Sequence, residues 1–199
     1  WNKKWKSFFQ PISITERLVI KPPWRDYHAR PNEVVVELDP GMAFGTGTHP
    51  STRMCLRVID EHVPGMGPGA RMLDVGTGSG ILAVAAAKLG LRDIIGTDID
   101  YTAIRCAHKN SEHNGVSDCI TFSTDPLRRV NGSFDLVVAN ILPHILIDLR
   151  DALIEHTAEA GRVVLAGILS EKAASVQQAF SEKLDFVCRL EEEEWCCLV

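Results

Sequence analysis

Leu73-Asp74-Val75-Gly76-Thr77-Gly78-Ser79-Gly80 is an apolar run that passes into a glycine-rich turn and then into a helical pattern. Three glycines at alternate positions remove side chains where the backbone must turn sharply and a ligand must come close, as at the nucleotide site of an open α/β sheet. A second signal lies 22 residues after Gly76, where Asp98 closes the next apolar run. A carboxylate there accepts hydrogen bonds from both hydroxyls of a ribose. Either feature alone has a plain structural reading, the glycines as a βα turn and Asp98 as a helix cap. Both at this spacing describe a nucleoside pocket at strand ends. A dinucleotide fingerprint would need glycine or alanine at position 81, where Ile81 stands, so the GxGxG spacing favours S-adenosylmethionine over a nicotinamide cofactor.

Working outward, apolar strands alternate with amphipathic helices, the pattern of βαβ units around a parallel sheet. Strands are predicted at 72–75, 94–97, 120–122, 136–139 and 163–166. Helices are predicted at 81–89, 103–114, 145–153 and 176–184, the first apolar nearly all round and therefore buried. Segments 186–190 and 195–199 pair as a hairpin across 191–194, whose glutamates read as a solvated turn. Upstream, 34–36 is a short β-branched strand stopped by Asp39-Pro40-Gly41, and 50–62 is a helix with Pro50 in its first turn. The first 32 residues carry Pro11, Pro22, Pro23 and Pro31 without sustained periodicity. They read as an arm or linker with short strands, its aromatics packing it onto a single domain at 33–199.

Length and composition agree with one globular domain. The 199 residues are 45% hydrophobic and 24% charged, which excludes disorder for most of the chain. No apolar run approaches the roughly 20 residues that cross a bilayer. The net charge of −5 argues against a nonspecific nucleic-acid binder and suits a basic partner. Six cysteines without a CxxC pair fit reduced thiols in a cytoplasmic protein, and the seven scattered histidines share no metal-ligand spacing with them, so no metal site is expected.

Two further segments carry chemistry. The stretch from Asp39 to Thr52, DPGMAFGTGTHPST, holds more hydroxyls and glycines than a structural loop needs, and reads as a lid over a cofactor that includes Phe44 and Thr46. Its plain alternative is a surface connection with Thr48 capping the following helix. In Val137-Val-Ala-Asn-Ile-Leu-Pro143, Asn140 falls just past a strand on the same sheet edge as Gly76 and Asp98. Its amide oxygen and the adjacent backbone carbonyl can each accept a hydrogen bond from a substrate amine; alone, Asn140 would pass for a turn residue.

In their order, DPGMAFGTGTHPST, LDVGTGSGILAVAAAKLG, GTDID, VVANIL, Gly167-Ile-Leu169 and Glu194-Trp195 resemble the ribosomal protein L11 methyltransferase family from one end of the chain to the other. The resemblance implies a class I methyltransferase (Rossmann-like) α/β fold with a mostly parallel seven-stranded sheet, helices on both faces and an antiparallel C-terminal hairpin. It implies S-adenosylmethionine as cofactor, S-adenosylhomocysteine as product, and amino groups of a protein, most naturally ribosomal protein L11, as acceptors. Carried over by motif, cofactor contacts fall on Thr52, Gly76, Gly78, Asp98 and Asn140, with Asp125 at the position that meets the adenine amino group, and Asn140 is the catalytic residue. The Asn-Ile-Leu segment is similar to the Asn-Pro-Pro-Tyr signature of other amino-group methyltransferases, although Pro143 follows it where a small residue is common. The family usually carries a small N-terminal domain that recognises the ribosomal protein, and this chain starts near the expected linker. The readings that compete are a methyltransferase for another amine, a cofactor-binding interaction module with little turnover, and, behind both, a nicotinamide enzyme.

Overall fold

Residues 9–39 and 47–199 are described in the computed structural model of the chain. The first elements are three short strands, β1 (Ile12–Ser13), β2 (Leu18–Lys21) and β3 (Val34–Glu37), with β1 and β2 antiparallel and β2 and β3 parallel. The short strands expected in the arm are therefore present. Their aliphatic residues are part of the core: Leu18 and Val19 are fully buried, and Leu18, Ile20 and Val36 share one apolar cluster with the helices that follow.

Helix α1 (Pro50–His62) buries Met54, Cys55, Val58 and Ile59, as its spacing predicts. Its N-cap is His49, whose Nδ1 accepts from the Ser51 amide at 3.2 Å, so Thr48 does not take the capping role. Strands and helices then alternate: β4 (Arg71–Val75), α2 (Ile81–Lys88), β5 (Asp93–Thr97), α3 (Tyr101–His113), β6 (Ile120–Ser123), β7 (Phe134–Asn140), α4 (Pro143–Asp148), α5 (Arg150–Glu155), β8 (Thr157–Leu169), α6 (Ala173–Phe180), β9 (Arg189–Glu192) and β10 (Trp195–Leu198). The second sheet has seven strands in the order β6-β5-β4-β7-β8-β10-β9. Its first five are mutually parallel, and β10 runs antiparallel to both neighbours. This is the mostly parallel sheet with a C-terminal hairpin that was expected.

Side-chain alternation along these strands makes two cores. Met72, Ile94, Leu136 and Val164 join α1 and α2 on one face, while Leu73, Val137, Val163 and Leu165 pack against Leu146, Leu153 and Val176 of α4, α5 and α6 on the other. The strand order reverses between β5 and β7 about β4, which opens a crevice beyond the carboxyl ends of β4, β5 and β7.

The structure corrects the sequence reading in several places. The single helix expected at 145–153 breaks at Leu149, which ends α4 and precedes α5. Strand β8 (Thr157–Leu169) extends well beyond 163–166: Thr157 pairs with Phe134 and Arg162 with Leu136 of β7, with an irregularity over the residues between them. The hairpin pairs 189–192 with 195–198, so Glu191 and Glu192 belong to a strand; Glu192 is held by Arg53 and Arg57 and is not a merely solvated charge.

Leu18→Ala tests whether β2 belongs to the core. Removing a fully buried leucine side chain is expected to lower unfolding stability by about 2–5 kcal/mol in urea denaturation. A loss below about 0.5 kcal/mol would place β2 outside the cooperative unit.

Candidate functional site

The turn after β4 is held from two directions. The amides of Gly76 and Thr77 both donate to the Thr97 carbonyl, at 2.8 and 2.9 Å, which binds the turn to the end of β5. Gly76, Gly78 and Gly80 all have positive φ, of 74°, 54° and 79°. Gly80 is the N-cap of α2 and offers no side-chain cap, leaving the backbone of the turn and helix start at the crevice.

Asp98 lies one residue past β5 and is half-buried. Its Oδ2 accepts from the Gly78 amide at 2.9 Å and its Oδ1 from the Asp100 amide at 3.0 Å. A carboxylate has about four acceptor positions, so two remain for a pair of hydroxyls. The helix-cap alternative fails on geometry: Asp100 caps α3 by accepting from the Thr102 amide at 2.7 Å. Ile99, passed over in reading the sequence, is 97% exposed beside Asp98, an open apolar surface at the site among the described residues. Asp125 follows β6 on the same sheet edge, where it accepts from the Ser123 hydroxyl at 2.8 Å and faces Arg129 at 3.6 Å.

Asn140 ends β7, next to β4. Its Nδ2 donates to Thr52 Oγ1 at 3.3 Å, and Thr52 is buried in the first turn of α1. With the nitrogen so engaged, Asn140 Oδ1 is buried without a partner among the described residues. A buried acceptor left unmatched costs on the order of 1–3 kcal/mol, which is the signature of a group waiting for a donor.

A second such acceptor is Asp74, which lay inside the glycine motif but was not singled out from sequence because burial is invisible there. It is 1% exposed; its Oδ2 accepts from the Thr77 hydroxyl at 2.7 Å, and its Oδ1 has no partner among the described residues. Burial pushes its pKa up to about 7, the nearby Asp98 charge adds to the rise, and the Thr77 hydroxyl and Ala83 amide hold it back.

The expected lid is anchored in the described residues at both flanks, whereas Phe44 and Thr46 lie outside them. On the entry side, Asn110 is buried and bridges two loops: its Oδ1 accepts from the Asp39 amide at 3.3 Å and its Nδ2 donates to the Ser79 carbonyl at 2.8 Å. On the exit side, a side chain at Gly47 would meet Ile81 Cδ1 at 3.2 Å, which places this end against the start of α2. Arg53 donates to the Thr48 carbonyl and pairs with Glu192, and His49 packs edge-on against Trp195 with ring centroids 4.6 Å apart. Burial and the Arg53 charge hold His49 below the ordinary histidine pKa.

Among the described residues no three His, Cys, Asp or Glu side chains come together as a metal would need, and no helix is long and apolar enough to cross a membrane. A cleft of about 430 Å³ lies between Arg162, Phe180, Phe186 and Val187. It opens at the amino ends of the parallel strands, away from the glycine turn and the strand ends where ligands of such sheets bind.

Residues 1–199 match the family model described as ribosomal protein L11 methyltransferase (PrmA). The chain is 45% identical over 201 residues to the ribosomal protein L11 methyltransferase of Citrifermentans bemidjiense and 46% identical over 200 residues to that of Geobacter sulfurreducens; all of this chain is covered in both. It spans 65% of the length of each. A crystal structure of a ribosomal protein L11 methylase from Lactobacillus delbrueckii subsp. bulgaricus superposes with a TM-score of 0.87 at 36% identity, over 96% of this chain and 97% of that one. An RNA methyltransferase from Salinibacter ruber, crystallised with S-adenosyl-L-homocysteine, shares the fold at 20% identity, with a TM-score of 0.59 over 75% of this chain and 91% of that one.

Asp74 gives the site a pH signature. Its folded pKa of about 7 lies above its ordinary value of 3.8, so between these values the folded state binds the extra proton. Stability is therefore lost as pH rises through this window, and the loss is complete above about 7. Asp74→Asn is expected to remove that component: wild-type stability minus variant stability, from urea midpoints, should fall between about pH 4.5 and pH 7.5. Parallel pH profiles would show that Asp74 is ionised in the fold at ordinary cost.

Proposed function

We propose that this chain, which belongs to the ribosomal protein L11 methyltransferase family, transfers methyl groups from S-adenosylmethionine to amino groups of a protein. Ribosomal protein L11 is the acceptor for which its relatives are named. The observation that carries the reading is Asn140: a buried amide oxygen without a partner, fixed by Thr52, at the edge where the glycine turn and Asp98 also end.

The residues present fit the cofactor. The open acceptor positions of Asp98 would hold the ribose hydroxyls, the exposed face of Ile99 would cover the adenine, and the backbone of Gly76 and Gly78 would lie along the amino-acid end. Asp125 would take the adenine amino group, and Thr52 contributes by fixing the Asn140 amide. When bound, S-adenosylmethionine supplies an electrophilic methyl group on a sulfonium whose departure leaves a neutral thioether.

The task of the chain is then positioning. A lysine amine has a reference pKa of about 10.4 and must be neutral to present a lone pair. Asn140 Oδ1 and the adjacent backbone carbonyl accept its two N–H bonds, so that the lone pair points at the methyl carbon. Both acceptors are uncharged, and the hydrogen bonds they receive strengthen as positive charge develops on the nitrogen. The unpaired cysteines suit a reducing compartment, and we place the protein in the cytoplasm.

Two variants separate the roles. Asp98→Ala loses charge-assisted bonds and also the Gly78 clamp, so calorimetry should show S-adenosylhomocysteine binding at least about tenfold weaker; unchanged affinity in a folded variant would refute the ribose assignment. Asn140→Ala should lower single-turnover methyl transfer to L11 by about 10²-fold while cofactor affinity changes less than about threefold. Cofactor binding with no transfer to L11 by the unaltered chain would favour a binding module, and transfer to a different amine would retain the chemistry but replace the substrate.

A further inference from the structure

The Gly167-Ile168-Leu169 segment has no part in the reading above, yet it touches the centre of the site. Gly167 lies within β8 with φ of +79°, a conformation foreign to a regular strand. The register between β8 and β10 shows why. Leu198 pairs with Leu165 and Cys196 with Ile168, so Ala166 and Gly167 together face Cys197 as a β-bulge. On the other side of β8, Ala166 opposite Asn140 is the last pair with β7. The bulge therefore falls where β7 ends and the Asn140-Ile141-Leu142 loop departs.

The space vacated by the missing side chain is filled by that loop. A Cβ at Gly167 would lie 2.6 Å from Ile141 O and 3.1 Å from both Ile141 C and Ile141 N, all backbone atoms that cannot rotate away. On the opposite side, a Cβ at Gly76 would overlap Ile141 Cγ2. Ile141 is thus wedged between the glycine turn and the bulge, one residue from the Asn140 amide, and its carbonyl is the one that the amine-transfer reading pairs with that amide.

We propose that Gly167 is a positioning residue for methyl transfer: its left-handed bulge sets the backbone of Ile141, and so the pair of acceptors that orients the amine. The proposal rests on the amine-transfer reading above. Its chemical content is selective. A side chain at 167 displaces the acceptors and leaves Asp98, Gly78 and the ribose end in place, so transfer fails while cofactor binding persists. A displacement of about 1 Å at a reacting pair can cost about 10²-fold in rate.

The test compares Gly167→Ala and Gly167→Asn with Gly115→Ala. Gly115 has φ of +67° and open space around the missing Cβ, so its variant carries the same backbone strain without touching the site. Asparagine tolerates the left-handed conformation better than alanine but still carries the Cβ, and it serves if the alanine variant does not fold. Both Gly167 variants are expected to lose about 10²-fold in single-turnover transfer to L11, with S-adenosylhomocysteine affinity within about threefold of wild type. The NMR resonances of the Asn140 side-chain amide and the Ile141 backbone amide should shift in both. Gly115→Ala should lower thermal stability alone. Gly167 variants that turn over like Gly115→Ala, with unmoved Asn140 and Ile141 resonances, would overturn the proposal. If the unaltered chain transfers no methyl to any amine, the amine reading fails by itself, and the resonances still decide whether Gly167 sets the loop.

Discussion

Two loops leave neighbouring parallel strands, β4 and β7, and must pass through the same small volume, which is possible only because position 76 carries no side chain. The volume that a Cβ at Gly76 would occupy is taken by Ile141 Cγ2. From this one close approach the rest of the site follows. The glycine turn can lie flat against the end of β5, where Thr97 and Asp98 bind its amides, and Asn140 can stand beside it with its nitrogen tied to Thr52. Sheet topology supplies the crevice, but the missing side chain lets the glycine turn and the Asn140 loop meet in it.

Electrostatics divides the site in the same way. Asp98, half-buried, accepts from two backbone amides and keeps acceptor positions open for hydroxyls. Asp74, fully buried below the same turn, has its pKa pushed by burial up to about 7 even though the Thr77 hydroxyl and the Ala83 amide hold it back. Two carboxyl groups reached through one glycine turn thus differ in burial and in the donors that reach them. On the far side, the Asn140 amide is held by the uncharged hydroxyl of Thr52. Arg53 and Arg57, paired with Glu192, tie the C-terminal hairpin to the helix that carries Thr52, so even the last strands contribute to how Asn140 is held.

The parallel sheet was legible in the sequence because its strands are short aliphatic runs with helical patterns between them, and the meeting of Gly76, Gly78 and Asp98 at one sheet edge because they follow a spacing tied to one backbone geometry. What escaped was non-local. Residues 157–162 look like a loop, and the pairing of Thr157 and Arg162 with β7 at its two ends is visible only once the strands are assembled. The break at Leu149 leaves the apolar stripe of the helix intact and so leaves no trace in periodicity. Glu192 as an ion-pair partner in place of a solvated charge depends on the hairpin folding back onto α1, where the capping His49 also packs against Trp195. The chemical import of Asp74 depends on burial, that of Ile99 on exposure, and that of Gly167 on a contact with a residue 26 positions away.

The central claim is that one sheet edge holds the cofactor between the glycine turn and Asp98 and presents its reactive end to Asn140. A crystal structure of the chain with S-adenosylhomocysteine tests this most directly. The ribose hydroxyls should lie within hydrogen-bond distance of Asp98, the adenine against Ile99, and the sulfur beside Asn140 with the Asn140 amide unrotated. Ligand bound in the cleft at the opposite end of the strands, or at the glycine turn with its sulfur directed away from Asn140, would contradict it.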